Sequence, residues 1–301
     1  EHGDADGRPQ VQVLTAGNPN LKPEESESLS YGGVIESVFL PEEFGSFTLT
    51  FDRWKIEQEN KIGVLSAENG LTLDYLMRVQ GSSNPNVVRA PVTQADIDFA
   101  AGTGLAPVGL IQSVITDYDN LDIRTIEGFD IGLTYTSPAL PIGDFTASVN
   151  YSELLDYFQS PSPIQQQLLD AQAGGEINAG ANIGGAASLL EDGGNPKVKW
   201  NASLTWKYGP IAAGLTGQYT GKVFQKAVLD ATGLPWEVED QLSLGLWGEY
   251  TFAGDRGDDT SLRLGVRNLT DEPPPLATQG YLGNLYQPYG RYFYARIQKT
   301  F

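Results

Sequence analysis

From Val198 to Lys207 the side chains alternate without a break. Val198, Trp200, Ala202, Leu204 and Trp206 are apolar, and Lys199, Asn201, Ser203, Thr205 and Lys207 between them are polar. A period of two belongs to a β-strand, whose successive side chains project to opposite faces. A single run of this kind also suits a soluble sandwich, so its repetition decides. Leu29, Tyr31, Gly33 and Ile35 alternate with Ser28, Ser30 and Gly32; Phe47, Leu49 and Phe51 alternate with Thr48, Thr50 and Asp52. Further runs begin at Phe129, Phe145, Ile211, Leu242, Leu262 and Phe293. About nine strands result, most of them long enough to cross a bilayer when tilted, which takes roughly 9–11 residues.

The connections between these runs alternate in length. Short ones fall at Pro41–Ser46, Pro138–Gly143, Tyr208–Pro210 and Gly254–Asp259. Long ones fall near Gly63–Leu121, Leu154–Pro196, Phe224–Glu239 and Asp271–Tyr289. Outer-membrane barrels have short periplasmic turns and long extracellular loops, which gives this alternation a cause. The expected fold is therefore all-β, a transmembrane antiparallel β-barrel in the bacterial outer membrane, crossing it many times. A mean hydropathy of −0.25 does not oppose this, because half of each barrel strand is polar. No run of about 18 apolar residues exists, so no membrane-spanning helix is available. Two loops carry helix signals: Thr93 with Asp96 before Ile97–Ala101, and Ser162-Pro163 before Ile164–Ala173.

Several function classes fall away. The formal net charge of −19 argues against nucleic acid, whose phosphates need Lys and Arg. The lack of cysteine removes disulfides and thiolate metal sites. His2 is the only histidine. Asp117, Asp119 and Asp122 fail the calcium-loop spacing, since Asp122 stands where that loop needs glycine and Gly128 where it needs the closing glutamate. No metal, no cofactor and no catalytic constellation is expected.

If the last strand descends to the periplasm, the short turns all lie on the periplasmic side, and the first strand, near Glu24–Val38, descends too. An odd set that begins and ends descending would close only through a parallel pair, whereas bacterial single-chain barrels use even antiparallel sets. The expectation is a fragment: an extracellular loop segment over 1–23, then the C-terminal part of a barrel over 24–301. The small, polar inward faces suit a wide watery lumen. The remainder of the same barrel is then a partner.

Four segments carry a family resemblance. Gly17-Asn-Pro-Asn-Leu-Lys-Pro-Glu-Glu-Ser26 resembles a signature of TonB-dependent receptors that opens a descending strand. Ile126-Glu-Gly-Phe-Asp-Ile131, Val266-Arg-Asn-Leu-Thr-Asp271 and Tyr289-Gly-Arg-Tyr-Phe-Tyr294 through Phe301 are similar to later strand openings and endings of that family, in order. The resemblance implies a 22-stranded barrel around a plug, no enzymatic activity, and nutrient import coupled to TonB through a plug absent from this sequence. The cargo classes it implies are an iron chelate, a cobalamin-like molecule or an oligosaccharide. A passive diffusion channel and a structural or enzymatic barrel are the alternatives. Further partners are lipid and lipopolysaccharide, a surface lipoprotein, and the outer-membrane assembly machinery. Phe293, Ile297 and Phe301 resemble the signal that this machinery reads; Lys299 departs from it, its stem lying along lipid while the ammonium reaches water.

Tyr135, Tyr151, Trp206, Tyr219 and Tyr250 lie towards strand ends, where interfacial aromatics belong. Trp236, Tyr281, Tyr286 and Tyr289 fall in or beside long loops and are candidates for substrate contact, with loop-to-loop packing as the alternative.

Overall fold

The computed structural model describes residues 11–38, 41–185, 187–254 and 258–300. Nine long strands form one sheet: β1 (Glu25–Glu36), β2 (Ser46–Glu59), β3 (Arg124–Thr136), β4 (Asp144–Gln159), β5 (Val198–Tyr208), β6 (Ile211–Thr220), β7 (Gln241–Phe252), β8 (Thr260–Arg267) and β9 (Tyr292–Lys299). Their spatial order is their sequence order, β1 to β9, and a two-residue strand at Ala187–Ser188 adds to β4. From β4 to β9 every pairing is antiparallel. Adjacent strands that follow one another in sequence need only a turn or a loop between them. Among the described residues the sheet is a partial barrel wall that does not close, each of β1 and β9 having one neighbour.

Register carries the alternation across the sheet. Ala147, Leu204, Leu215, Leu246, Val266 and Phe293 form one transverse row, and Leu262 stands between Tyr250 and Ile297 in another. Val266 is buried in this row, but several of its neighbours are open on their outer side: Leu215 is 43% exposed, Leu246 47%, Phe293 78% and Ile297 74%. In water each such leucine or phenylalanine would forgo, in proportion to its exposure, part of the about 1.5–3 kcal/mol that full burial supplies. A contiguous apolar face of this extent marks an interaction surface.

The chain divides into two compact units. Ser28–Ile56, Ile126–Tyr157 and Leu189–Phe301 carry most of the sheet. This unit also holds a small hairpin, Val223–Leu229 with Pro235–Val238, over a core of Val223, Val238, Ala277 and Tyr286.

The other unit is built from long connections, Glu1–Glu27, Glu57–Thr125 and Phe158–Ser188. Its strand Ile111–Asn120 pairs parallel with Gln12–Ala16 and antiparallel with Ile62–Val64 and Val87–Arg89. Three helices accompany it: α1 (Ala67–Val79), α2 (Gln94–Ala100) and α3 (Pro163–Ala173). Both helices expected from sequence are present, each with the reciprocal capping box, Thr93 with Asp96 and Ser162 with Gln165. The unforeseen helix is α1, where Asn69-Gly70 reads as a turn. Asn69 instead makes two bonds to Gly184, donating to its carbonyl at 2.8 Å and accepting from its N–H at 3.1 Å, while Ser66 caps the helix. Leu76 of α1 packs on Leu168 and Ala171 of α3 and on Ile177. Beside them Asp74, with no exposed side-chain surface, accepts from Arg78 and Arg89, both at 2.9 Å, and from the Asn84 N–H at 3.0 Å.

Candidate functional site

The face opposite the apolar rows is polar along its length. Ser148 and Ser203 share a hydrogen bond of 2.8 Å, and the Asn150 amide donates to Asn201 at 3.1 Å. Asp130 accepts from the Trp54 indole at 2.9 Å and from the Ser152 hydroxyl. On β6 to β9 the row Gly214, Trp247, Gly265, Tyr294 alternates small and large. Each ring leans over its glycine neighbour: a Cβ on Gly214 would occupy the Trp247 indole, and one on Gly265 the Tyr294 ring.

Three arginines project from this part of the polar face. Glu249 accepts from Arg263 at 2.8 Å and from Arg296 at 3.4 Å, and the Arg263 guanidinium lies 3.7 Å from the centre of the Trp247 ring. Arg267 is different. It is exposed, and its guanidinium lies 5.8 Å from the Tyr292 ring centre and 5.6 Å from that of Tyr294. Beside it is a cavity of about 150 Å³ lined by Gln218, Gln241, Ser243, Gln287, Tyr289 and Tyr292. The strands supply Gln218, Gln241, Ser243, Arg267 and Tyr292 because all five share the polar parity; Gln287 and Tyr289 come from the connection before β9.

The aromatic residues fall into distinct groups. Tyr151 and Tyr219 belong to one belt on the apolar side: Phe51, Phe129 and Tyr151 have ring centres 6.1 and 6.0 Å apart, and Trp200 stacks on Tyr219 at 5.7 Å. Tyr151 pairs with Trp200, so the belt continues across five strands. Tyr250 and Trp206 lie at the other end of their strands, Tyr250 against Phe252 and Trp206 against Tyr208. Tyr135, at the same end of β3, donates its hydroxyl to the Phe44 carbonyl at 3.2 Å. On β6 the two aromatic levels, at Tyr219 and at the Ile211–Tyr250 pair, are eight residues apart, about 26 Å of strand.

The loop aromatics separate in the same way. Tyr286 is 3% exposed in the hairpin core, its hydroxyl donating to the Glu239 carbonyl at 3.3 Å. Burial, then the charge of Asp240, holds that hydroxyl above the usual phenol range. Trp236 packs beside it and donates to the Leu276 carbonyl at 3.1 Å. Tyr281 is 39% exposed and Tyr289 67%; of the four, Tyr289 alone lines the Arg267 cavity.

Phe293 and Ile297 stand on the apolar face, whereas Phe301 lies outside the described residues. Lys299, of the same parity, forms an ion pair with Asp258 at 3.2 Å. Among the described residues no three His, Asp or Glu side chains gather as metal ligands. Asp119 and Asp122 instead accept from the next N–H in the chain. His2 lies outside the described residues.

Sequence reading missed Arg267, Trp247 and the paired glycines. Their signal was present only as parity, since an arginine and a tryptophan on a polar face become neighbours once register is known.

The family model described as TonB dependent receptor-like, beta-barrel matches residues 5–269. The siderophore receptor PirA from Acinetobacter baumannii superposes with a TM-score of 0.54 at 18% identity, over 94% of this chain and 32% of that one. A mutant ferric enterobactin receptor, PfeA, from Pseudomonas aeruginosa gives 0.53 at 18% identity, over 94% and 32%. The FrpB iron transporter from Neisseria meningitidis gives 0.52 at 13% identity, over 96% and 32%. The chain thus spans about a third of the length of these structures. No curated protein sequence matches it.

Proposed function

Because this chain belongs to the TonB dependent receptor-like β-barrel family, we propose that it forms part of the wall of an outer-membrane transporter that imports a scarce nutrient by TonB-coupled uptake. The observation that carries the proposal is the two-sided sheet: apolar rows bounded by aromatic levels on one side, and a hydroxyl- and amide-rich surface on the other. Outward apolar bands with aromatic girdles belong against lipid, and the polar side then faces a watery lumen. The remaining strands, a plug that engages TonB, the assembly machinery acting on Phe293, Ile297 and Phe301, lipopolysaccharide beyond the belt, and a surface lipoprotein are the partners this reading requires or admits. Cargo binds loops and plug and passes along the polar side; no covalent chemistry is involved. Among iron chelates, cobalamin-like molecules and oligosaccharides, the iron-related names of the structural neighbours make iron chelates the first cargo to test.

The complete protein, expressed in a host lacking its own receptors, is tested for uptake with and without proton motive force and TonB. Accumulation that stops when either is removed supports active import. Uptake indifferent to both, together with steady conductance in planar bilayers, would establish a diffusion channel instead.

A further inference from the structure

Within the unit that carries most of the sheet, the polar wall of β7–β9 holds three guanidiniums and one carboxylate, and the carboxylate is shared by two of them. Arg267 is left over. Among the described residues it makes no ion pair, and its ring neighbours Tyr292 and Tyr294 hold the guanidinium plane without using its N–H donors. Its own strand partner across β7 is Gly245, which puts no side chain in front of it. A planar cation so placed presents the two-pronged geometry that matches a carboxylate.

The neighbouring cavity narrows the class of ligand. Gln218, Gln241 and Gln287 each offer both donor and acceptor groups, Ser243 adds a hydroxyl, and no carboxylate lines the space. Such a lining suits hydroxyl groups, which also donate and accept, and not cations. Tyr289 and Tyr292, whose rings meet edge to face at 6.2 Å, add flat apolar surface for the C–H face of a ring. The cavity measures about 150 Å³, and Gln218, Ser243 and Arg267 also line a wider, open one of about 570 Å³.

We propose that Arg267 with Gln218, Gln241, Gln287 and Tyr289 forms a subsite for a carboxylate-bearing hydroxylated ring, a sugar acid, on the polar face of the wall. The subsite deepens the transport reading and rests on it for the idea that cargo travels along this face. Arg267 grips the carboxylate, the amides bond the ring hydroxyls, and Tyr289 covers one face of the ring.

The test uses the complete protein in detergent, with glucuronate and glucose as probes and ligand-observed NMR as the readout. Wild type is compared with Arg267→Gln and Arg267→Lys, each checked for the heat-modifiable mobility of a folded barrel. Glucuronate binding that weakens at least tenfold in Arg267→Gln and less in Arg267→Lys, with glucose unaffected by either change, supports the subsite. Equal loss for both sugars, no change in Arg267→Gln, or no glucuronate binding by folded wild type (as when another segment of the protein covers Arg267) overturns it. The two readings fail separately. Glucuronate binding with uptake indifferent to TonB removes active transport and leaves the subsite, and TonB-dependent uptake without glucuronate binding does the reverse.

Discussion

Asp74 shows how much one buried carboxylate can control in a loop unit. Burial by itself raises its pKa, but hydrogen bonds from Arg78, Arg89 and the Asn84 N–H outweigh that and hold it below the usual carboxylate range. A depressed folded pKa contributes stability that is complete above the unfolded value of about 3.9 and disappears as pH falls through the folded value. Acidification below about pH 4 is therefore expected to loosen the Glu57–Thr125 region, read as faster amide exchange there than in β5–β8. Asp74→Ala should do so at neutral pH, because it strands two guanidiniums; breaking a buried pair costs about 3–5 kcal/mol. The Gly265 position is a second case. Gly265→Val drives a side chain into the space of the Tyr294 ring, and overpacking of this kind costs about 1–3 kcal/mol. Urea midpoints of the folded barrel check it, with Gly248→Val as the control, since nothing stands within reach of a Cβ there.

At the scale of elements, the strands were legible because alternation is written residue by residue: the run read from Val198 to Lys207 is β5. The two helices with capping boxes were legible for the same reason, their start signals being local. α1 was not. Its Asn69-Gly70 pair is a turn signal, and what overrides it is the bond pair to Gly184, more than a hundred residues away. The strand Ile111–Asn120 was hidden likewise, inside what reads as one long connection, because its partners at Gln12–Ala16, Ile62–Val64 and Val87–Arg89 are distant short segments. The Arg267 cavity was illegible too, since it needs side chains from four strands and a loop in known register. The α1–α3 contact gives a test at this scale. Leu168 is fully buried against Leu76, so Leu168→Ala should destabilise this unit by about 2–5 kcal/mol. Limited proteolysis is expected to cut between α1 and α3 in the variant while leaving β5–β9 intact.

For the whole molecule, the two faces of the sheet predict opposite tolerances. Leu215 and Ser203 are close neighbours, Leu215 on the apolar row and Ser203 on the polar one. Leu215→Arg should cost about 2–4 kcal/mol if the apolar row lies in lipid, and far less arginine penalty is expected at Ser203. The fraction of heat-modifiable protein recovered from outer membranes measures both, and equal recovery of the two variants would sink the assignment of faces. The row Gly214, Trp247, Gly265, Tyr294 adds something of a different kind. Hydrogen bonding between long strands is nearly indifferent to a slip of two residues, since the same faces stay in place. The rings are not indifferent: a slip of β9 along β8 would move Tyr294 from Gly265 to Arg263 or Arg267, whose side chains fill the space the ring requires. The β6–β7 and β8–β9 pairs therefore each carry a proofreading mark, and a wall zipped one notch out of step there is rejected by shape before its pockets ever exist.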